Sequence, residues 1–594
     1  MRKHALAAAI VAMSLYGGHA LAQPGPAQTS EAQALKQVID EHWAWWLKAN
    51  PVQATMLGVR TYDRELGDVS LAGIDAEAKQ AQAFLTRLDA IDATRLPPAD
   101  RINHALLRRE LAMQVEGGKF PQRAILFNNR RGFHLQVANL SEQLPFFTRA
   151  DYEAYLARLA AYPAYNRAAI ATTREALRMG AAHPCAAMAN FDRTISAQVV
   201  DSADKSSFMR PFQTRPATIP EADWAALRAR AAEVVMRGVT PAYRDFLTFY
   251  TNEYAPRCRK DDGASGMAQG AAWYAYRARL MTTTDMTPEQ IHQLGLSEVK
   301  RILAEMDEVV RRSGFKGDRK AFVERLRTDP ALYPKTPDEL MAVAAVLAKR
   351  IDGEMPKLFG RLPRLPYTVK PVPEATAAGT TTAYYEPGSP ETGRAGVYRV
   401  NTSKLDQRPL YEMPALTVHE AVPGHHQQIA LQQELDLPMF RKYAVNFTAF
   451  SEGWGLYSER LGIEMGLYDT PEKDFGRLSY EMWRAARLVV DTGLHAKGWT
   501  REQAIQFMLD HTALSRGNIE AEVNRYMVGP GQALAYKLGE LKIRSLRARA
   551  EKELGPAFDL RAFHDAVLEN GEVPLDVLEA HVSGWIAARK GRAP

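Results

Sequence analysis

His419, Glu420, His425 and His426 fall within eight consecutive residues, His419-Glu420-Ala421-Val422-Pro423-Gly424-His425-His426, although the chain of 594 residues holds only 14 histidines. Neutral imidazoles are common zinc ligands, and a carboxylate directly after the first histidine can take the proton of a water that the metal activates. The chemistry on offer is therefore metal-assisted hydrolysis. The spacing differs from the ordinary one, in which two histidines four residues apart share a helix face, because the fourth position after His419 is Pro423. On an ideal helix His425 lies roughly 240° around from His419, and His426 lies roughly in line but about 10.5 Å along the axis. Pro423 removes a backbone donor and clashes with the carbonyl of residue 419, so a local bulge is expected. A bulge that loops out two residues brings His425 to the second-ligand place, with His426 as the alternative.

Two histidines leave a hydrolytic zinc site one protein ligand short, with a further position open for water. Glu452 supplies it in this reading. It stands in Phe450-Ser451-Glu452-Gly453-Trp454-Gly455-Leu456-Tyr457-Ser458-Glu459, a predicted helix whose Glu452 follows His425 by 27 residues, room for the chain to turn back. Apart from the histidines it would read as an ordinary exposed helix carboxylate.

The elements that must position these residues are helical nearly throughout. Ser30 to Ala49 carries Ala34, Val38, Ile39, Trp43 and Trp46 at three- and four-residue steps and stops at Asn50-Pro51. Thr287, Thr336, Thr470 and Thr500 each place a capping hydroxyl before a first helical turn, the first three with proline next. The main exception is Thr380 to Val400, where short β-prone runs containing Tyr384 and Tyr398 flank Pro387-Gly388-Ser389-Pro390, the signal of a hairpin just before the histidines.

Residues 1–22 read as a secretory signal: Arg2, Lys3 and His4, an apolar run from Ala5 to Tyr16, and Ala20-Leu21-Ala22 as the cleavage site. The apolar run is too short to span a bilayer and no later run reaches that length, so a soluble, exported, periplasmic protein is expected, with no membrane span. Residues 23–594 read as a single helical catalytic domain with lobes at roughly 23–280 and 281–594, since no linker divides them. The net charge of +6 is scattered among acids and not gathered on one stretch, which argues against a nucleic-acid partner. The two cysteines, Cys185 and Cys258, are expected to pair after export.

The histidine run, Glu452-Gly453-Trp454 with Tyr457 and Glu459, Arg525-Tyr526, and Pro530-Gly531-Gln532-Ala533 together resemble the bacterial family called "domain of unknown function 885", over most of residues 30–590. That family is similar to zinc peptidases of the angiotensin-converting-enzyme and thimet-oligopeptidase kind. The resemblance implies a mainly α, two-lobed fold with a central cleft and a small β-hairpin or sheet beside the active site. It implies zinc held by His419, His425 and Glu452, with Glu420 as general base. This chain departs from those peptidases in that their second histidine follows a shorter His-Glu-x-Gly-His pattern, which leaves His425 and His426 both open. The converting-enzyme branch has an acid four residues after the third ligand, a place held here by Leu456, and Glu459 can substitute behind a ligating histidine. Arg525-Tyr526 is similar to a pair that sets a tyrosine hydroxyl near the substrate carbonyl, where it would steady an oxyanion. His495 is a weaker candidate for that work, and Tyr536 and Tyr384 are candidates to line the cleft.

The expected reaction is peptide hydrolysis, with Glu420 taking a proton from water and passing it to the leaving amine. An extended peptide could add to the hairpin as a further strand. Two other classes fit the same fold: a peptide-binding or chaperone-like protein without catalysis, against which the presence of Glu420 speaks, and a zinc hydrolase of non-peptide amides or esters.

Overall fold

The computed structural model describes residues 30–591 except 268, 378–379 and 391–392; the expected signal segment lies outside the described residues. The helices that matter below are α1 (Ser30–Ala49), α2 (Leu71–Asp89), α3 (Pro98–Gly117), α4 (Arg149–Arg178), α5 (Gly270–Thr282), α6 (Pro288–Arg312), α7 (Pro337–Leu358), α8 (Met413–Glu420), α9 (His425–Glu434), α10 (Thr448–Leu461), α11 (Pro471–Ala496), α12 (Arg516–Val528), α13 (Ala535–Leu554) and α14 (Leu575–Lys590). All four threonine caps form: Thr287, Thr336, Thr470 and Thr500 each accept a backbone N–H from three residues on, and Thr287 and Thr500 close full capping boxes. In α1 the buried stripe is Ala32, Leu35, Val38, Ile39, His42 and Leu47; Ala34 is exposed, and Trp43 and Trp46 stack on each other half-buried.

The β-prone region forms a small three-stranded sheet and not a lone hairpin. Strands β1 (Tyr367–Pro371), β2 (Ala383–Glu386) and β3 (Gly396–Val400) lie in the order β1-β3-β2, with β1 parallel and β2 antiparallel to β3. Ala383, Tyr398 and Val400 bury the inner face against Ala415 and Leu416 of α8 and Val490 of α11. The sheet therefore braces the helix that ends in His419-Glu420.

One hydrophobic core joins elements far apart in the chain. Leu35 of α1, Phe84 of α2 and Leu106 of α3 share one core with Trp454 of α10, Ile543 of α13 and Val582 of α14, whereas residues from Phe127 to Tyr254 gather around α4 in a core of their own. The physical reason is that α1 to α3 present apolar faces that the C-terminal helices cover. Cys185 and Cys258 form a disulfide with Cα atoms 5.0 Å apart, tying the segment just after Tyr254 back to residue 185.

Helix α11 runs through the interior, buried at every position from Phe475 to His495. Its polar residues Arg477, Glu481, Arg484, Arg487, Asp491 and His495 recur at three- and four-residue steps, and each finds partners. Glu481, for example, meets Lys537 of α13 at 2.8 Å, and the same ammonium reaches Glu298 of α6 at 3.0 Å and Glu540 at 2.9 Å. Buried charge is tolerated here because it is paired on every side.

Candidate metal centre

Helix α8 ends at Glu420 and α9 begins at His425, so the expected bulge is a complete break between two helices. The reason lies in both chain and surroundings. Pro423 cannot continue the helix, and a Cβ at Gly424 would sit 1.9 Å from the His419 carbonyl oxygen, so only glycine allows the chain to fold back this tightly. Trp454 of α10 fixes the linker by donating its indole N–H to the Pro423 carbonyl at 2.7 Å. As the first residue of α9, His425 turns its ring toward His419, with ring centroids 4.8 Å apart and planes nearly perpendicular.

Glu452 of α10 completes the group. Its Oε2 stands 3.6 Å from His419 Nε2 and 3.4 Å from His425 Nε2, and one donor atom from each of the three residues lies within 4.8 Å of the others. The two Glu452 separations suit ligands of one ion, since donors about 2.0–2.2 Å from a tetrahedral zinc stand roughly 3.3–3.6 Å apart. Glu452 Oε2 is buried and has no hydrogen-bond partner among the described residues. The residues therefore fit a zinc ion on donor type, separation and an unsatisfied buried oxygen. Gly455 makes room one turn on, since a Cβ there would meet the His419 ring at 2.8 Å.

Behind His419, Glu459 Oε1 accepts from Nδ1 at 2.8 Å and is itself held by Arg484 Nη2 at 2.9 Å. That bond leaves His419 Nε2 facing Glu452. Burial works against an imidazolium at His419, but the Glu452 and Glu459 carboxylates outweigh it and hold its pKa up at about 9. Burial would raise the Glu452 carboxyl, yet the two histidines hold it well below the usual range. In the bare centre the carboxylates and imidazoles thus stabilise each other's charged forms. Glu420, half-buried, makes no hydrogen bond or ion pair among the described residues.

His426 points elsewhere. Its Nδ1 accepts from the Tyr385 hydroxyl at 2.8 Å, its ring packs on Tyr367, and burial lowers its pKa to about 4, so it ties α9 to the sheet as a neutral group. Tyr384 lies on the opposite face of β2 from Tyr385, in the field of Glu386 and Glu142, and does not approach the histidines through that face.

The two candidate tyrosines differ in how far their hydroxyls are engaged. Tyr526 is buried, its hydroxyl donating to Glu522 Oε2 at 3.0 Å while accepting from Arg487 at 2.9 Å and Trp483 at 3.1 Å. Burial, against the nearby arginines, holds its pKa up at about 12. Arg525 is likewise engaged, paired with Glu522 at 2.7 Å and bonded to Gln532. Tyr536 instead lies almost parallel to the His419 ring, centroids 6.4 Å apart, with the Arg487 guanidinium carbon 4.3 Å from the centroid of the Tyr536 ring; among the described residues its hydroxyl has only a 3.4 Å contact from Gln532. Burial and then the charge of Glu452 raise its pKa, so its hydroxyl stays protonated and able to donate. His495 has both nitrogens occupied, Nδ1 accepting from Ala264 N and Nε2 donating to Tyr526 O, each at 3.0 Å, so it is a buried brace and not an oxyanion donor. Sequence reading missed Arg484 and Arg487. Their signal was the polar stripe within an otherwise apolar helix.

The model of the family described as "Bacterial protein of unknown function (DUF885)" matches residues 51–582. A solved structure described as "the putative lipoprotein from Colwellia psychrerythraea" superposes with a TM-score of 0.88 at 27% identity, covering 94% of this chain and 100% of that one. A second, a "putative lipoprotein of unknown function" from Shewanella oneidensis, has a TM-score of 0.69 at 20% identity over 93% of this chain and 99% of its own, a likeness of fold. No curated protein matches. Among the described residues no helix is long and apolar enough to cross a membrane.

Proposed function

We propose that this chain, which belongs to the DUF885 family over residues 51–582, is a zinc-dependent peptidase, exported to the periplasm and similar in its site to the angiotensin-converting-enzyme and thimet-oligopeptidase peptidases. The observation that carries the reading is the meeting of His419, His425 and Glu452 beside a free Glu420, with Glu459 bonded to the far side of His419. His419 Nε2, His425 Nε2 and Glu452 Oε2 would hold the ion. When bound, zinc acidifies water and polarises the scissile carbonyl.

The chain's own residues do the rest. Glu420 takes the proton of the attacking water and delivers it to the leaving nitrogen, a task for which a carboxylate without other partners is free. Glu459 orients His419, and Arg484 fixes Glu459 in turn. Tyr536, and not Tyr526, donates to the developing oxyanion, because its hydroxyl is the one left uncommitted beside His419. Among the described residues strand β2 pairs only with β3, so its other edge can receive an extended peptide through backbone hydrogen bonds.

Metal analysis of the purified protein tests the centre: close to one zinc per chain is expected, falling sharply in His419→Ala and Glu452→Gln. A panel of peptides and esters, assayed with and without a chelator, tests the reaction. Chelator-sensitive peptide hydrolysis supports it; hydrolysis confined to esters, or binding without turnover, replaces it with one of the two other classes.

A further inference from the structure

Away from the histidines, a cavity of about 280 Å³ opens between the loop at residues 122–136, α5 and the segment that follows Tyr526. Three arginines line it, Arg131, Arg259 and Arg277, and no aspartate or glutamate does. The remaining wall mixes apolar side chains, among them Leu126, Met267 and Trp273, with the amides of Gln122, Asn128 and Gln136.

The guanidiniums are incompletely used within the chain. Arg277 donates its Nε to the Pro530 carbonyl at 3.2 Å, and its two terminal nitrogens have no partner among the described residues. Arg259 spends Nε on the Ala182 carbonyl at 2.8 Å and Nη1 on the Gly263 carbonyl at 2.7 Å, which leaves Nη2. Arg131, exposed, makes no side-chain hydrogen bond or ion pair among the described residues. His183, also in the wall, bonds to the Phe127 carbonyl through Nε2 and is kept neutral by burial.

We propose that this cavity binds a carboxylate carried on a small apolar body, about the size of one N-acylated amino acid. Guanidinium forks match carboxylate geometry and have donors to spare here. Asp261 and Asp262 partly offset Arg259, which moderates the positive charge of the wall. Volume sets the size, since about 150 Å³ takes a benzene and drug-sized ligands need about 300–1,000 Å³. The ligand could be the end of a peptide chain or a free acid; the recognition chemistry is shared.

Calorimetry with N-acetylphenylalanine and its primary amide tests the site without relying on hydrolysis, so its outcome is separable from that of the peptidase reading. The acid should bind at least tenfold tighter than the amide. Arg131→Ala and Arg277→Ala should each weaken the acid at least tenfold and leave the amide unchanged. Arg131 has no bond within the chain to lose, so that variant decides even if Arg277→Ala folds poorly. Equal binding of acid and amide, no binding of either, or unaltered acid binding by Arg131→Ala would overturn the proposal. The source is settled on the Glu420→Gln protein with acetyl-tetraalanyl-phenylalanine: competition with N-acetylphenylalanine identifies a chain end, and simultaneous binding a free acid, either of which upholds the site.

Discussion

His419 Nδ1 lies 2.8 Å from Glu459 Oε1, and the same oxygen lies 2.9 Å from Arg484 Nη2, so a single buried carboxylate oxygen links the histidine run to the interior helix α11. Partners on the far nitrogen of a metal-binding histidine commonly govern affinity by about 10–100-fold. Glu459→Gln is therefore expected to weaken zinc by that order, measured by competition with a chromogenic chelator, while the fold persists in circular dichroism. Unchanged affinity in a folded variant would remove Glu459 from the site.

Glu420→Gln separates catalysis from binding. The substitution keeps size and leaves His419, His425 and Glu452 untouched, so zinc should remain. Turnover should fall by about 10²–10⁴-fold or more, because the same carboxylate serves both proton transfers. Parent-like rates with zinc present in both proteins would end the mechanism.

Tyrosine replacements should divide as the hydroxyl contacts divide. Tyr536→Phe removes the hydroxyl left uncommitted beside His419 and should cost about 10²–10³-fold in kcat with zinc retained. Tyr526→Phe deletes a buried partner of Glu522 and Arg487, and should instead lower stability by about 1–3 kcal/mol with a smaller effect on rate. Steady-state kinetics beside thermal unfolding distinguish the two, and the reverse pattern would restore Tyr526 to the site.

Asp491 predicts a pH dependence of stability. It is fully buried, accepts from the Tyr274 hydroxyl at 2.7 Å and Gly531 N at 3.0 Å, and burial outweighs these bonds and nearby arginines to hold its carboxyl up at about 7. The folded state thus holds the proton more tightly than the unfolded chain. Its contribution is complete below the unfolded carboxyl pKa of about 4 and is lost as pH rises through about 7. Asp491→Asn retains an oxygen for both donors and cannot ionise. It should match the parent near pH 4 and exceed it at pH 8, by up to about 4 kcal/mol. Denaturant unfolding at both pH values measures this, and a constant difference across them would contradict the assignment.

Local signals were legible because short-range chemistry sets them. A threonine before proline caps a helix wherever it stands, as Thr287, Thr336 and Thr470 do, and the mainly helical content and the family membership followed from patterns along the chain. The histidine run and Glu452 were identifiable from residue type and spacing, and the pairing of Cys185 with Cys258 from their number. Other features depended on contacts between residues distant in sequence. The choice between His425 and His426 turned on the fold-back at Gly424 and on Tyr385, which takes up His426 from the sheet. The proposal of Tyr536 in place of Tyr526 turns on Glu522 and Arg487, partners that engage the Tyr526 hydroxyl. The grouping of α1 to α3 with the C-terminal helices rested on which apolar faces cover one another. A sequence states which groups a chain carries, but a hydroxyl or imidazole has one set of hydrogen bonds to give, and only the packed structure decides where they are spent.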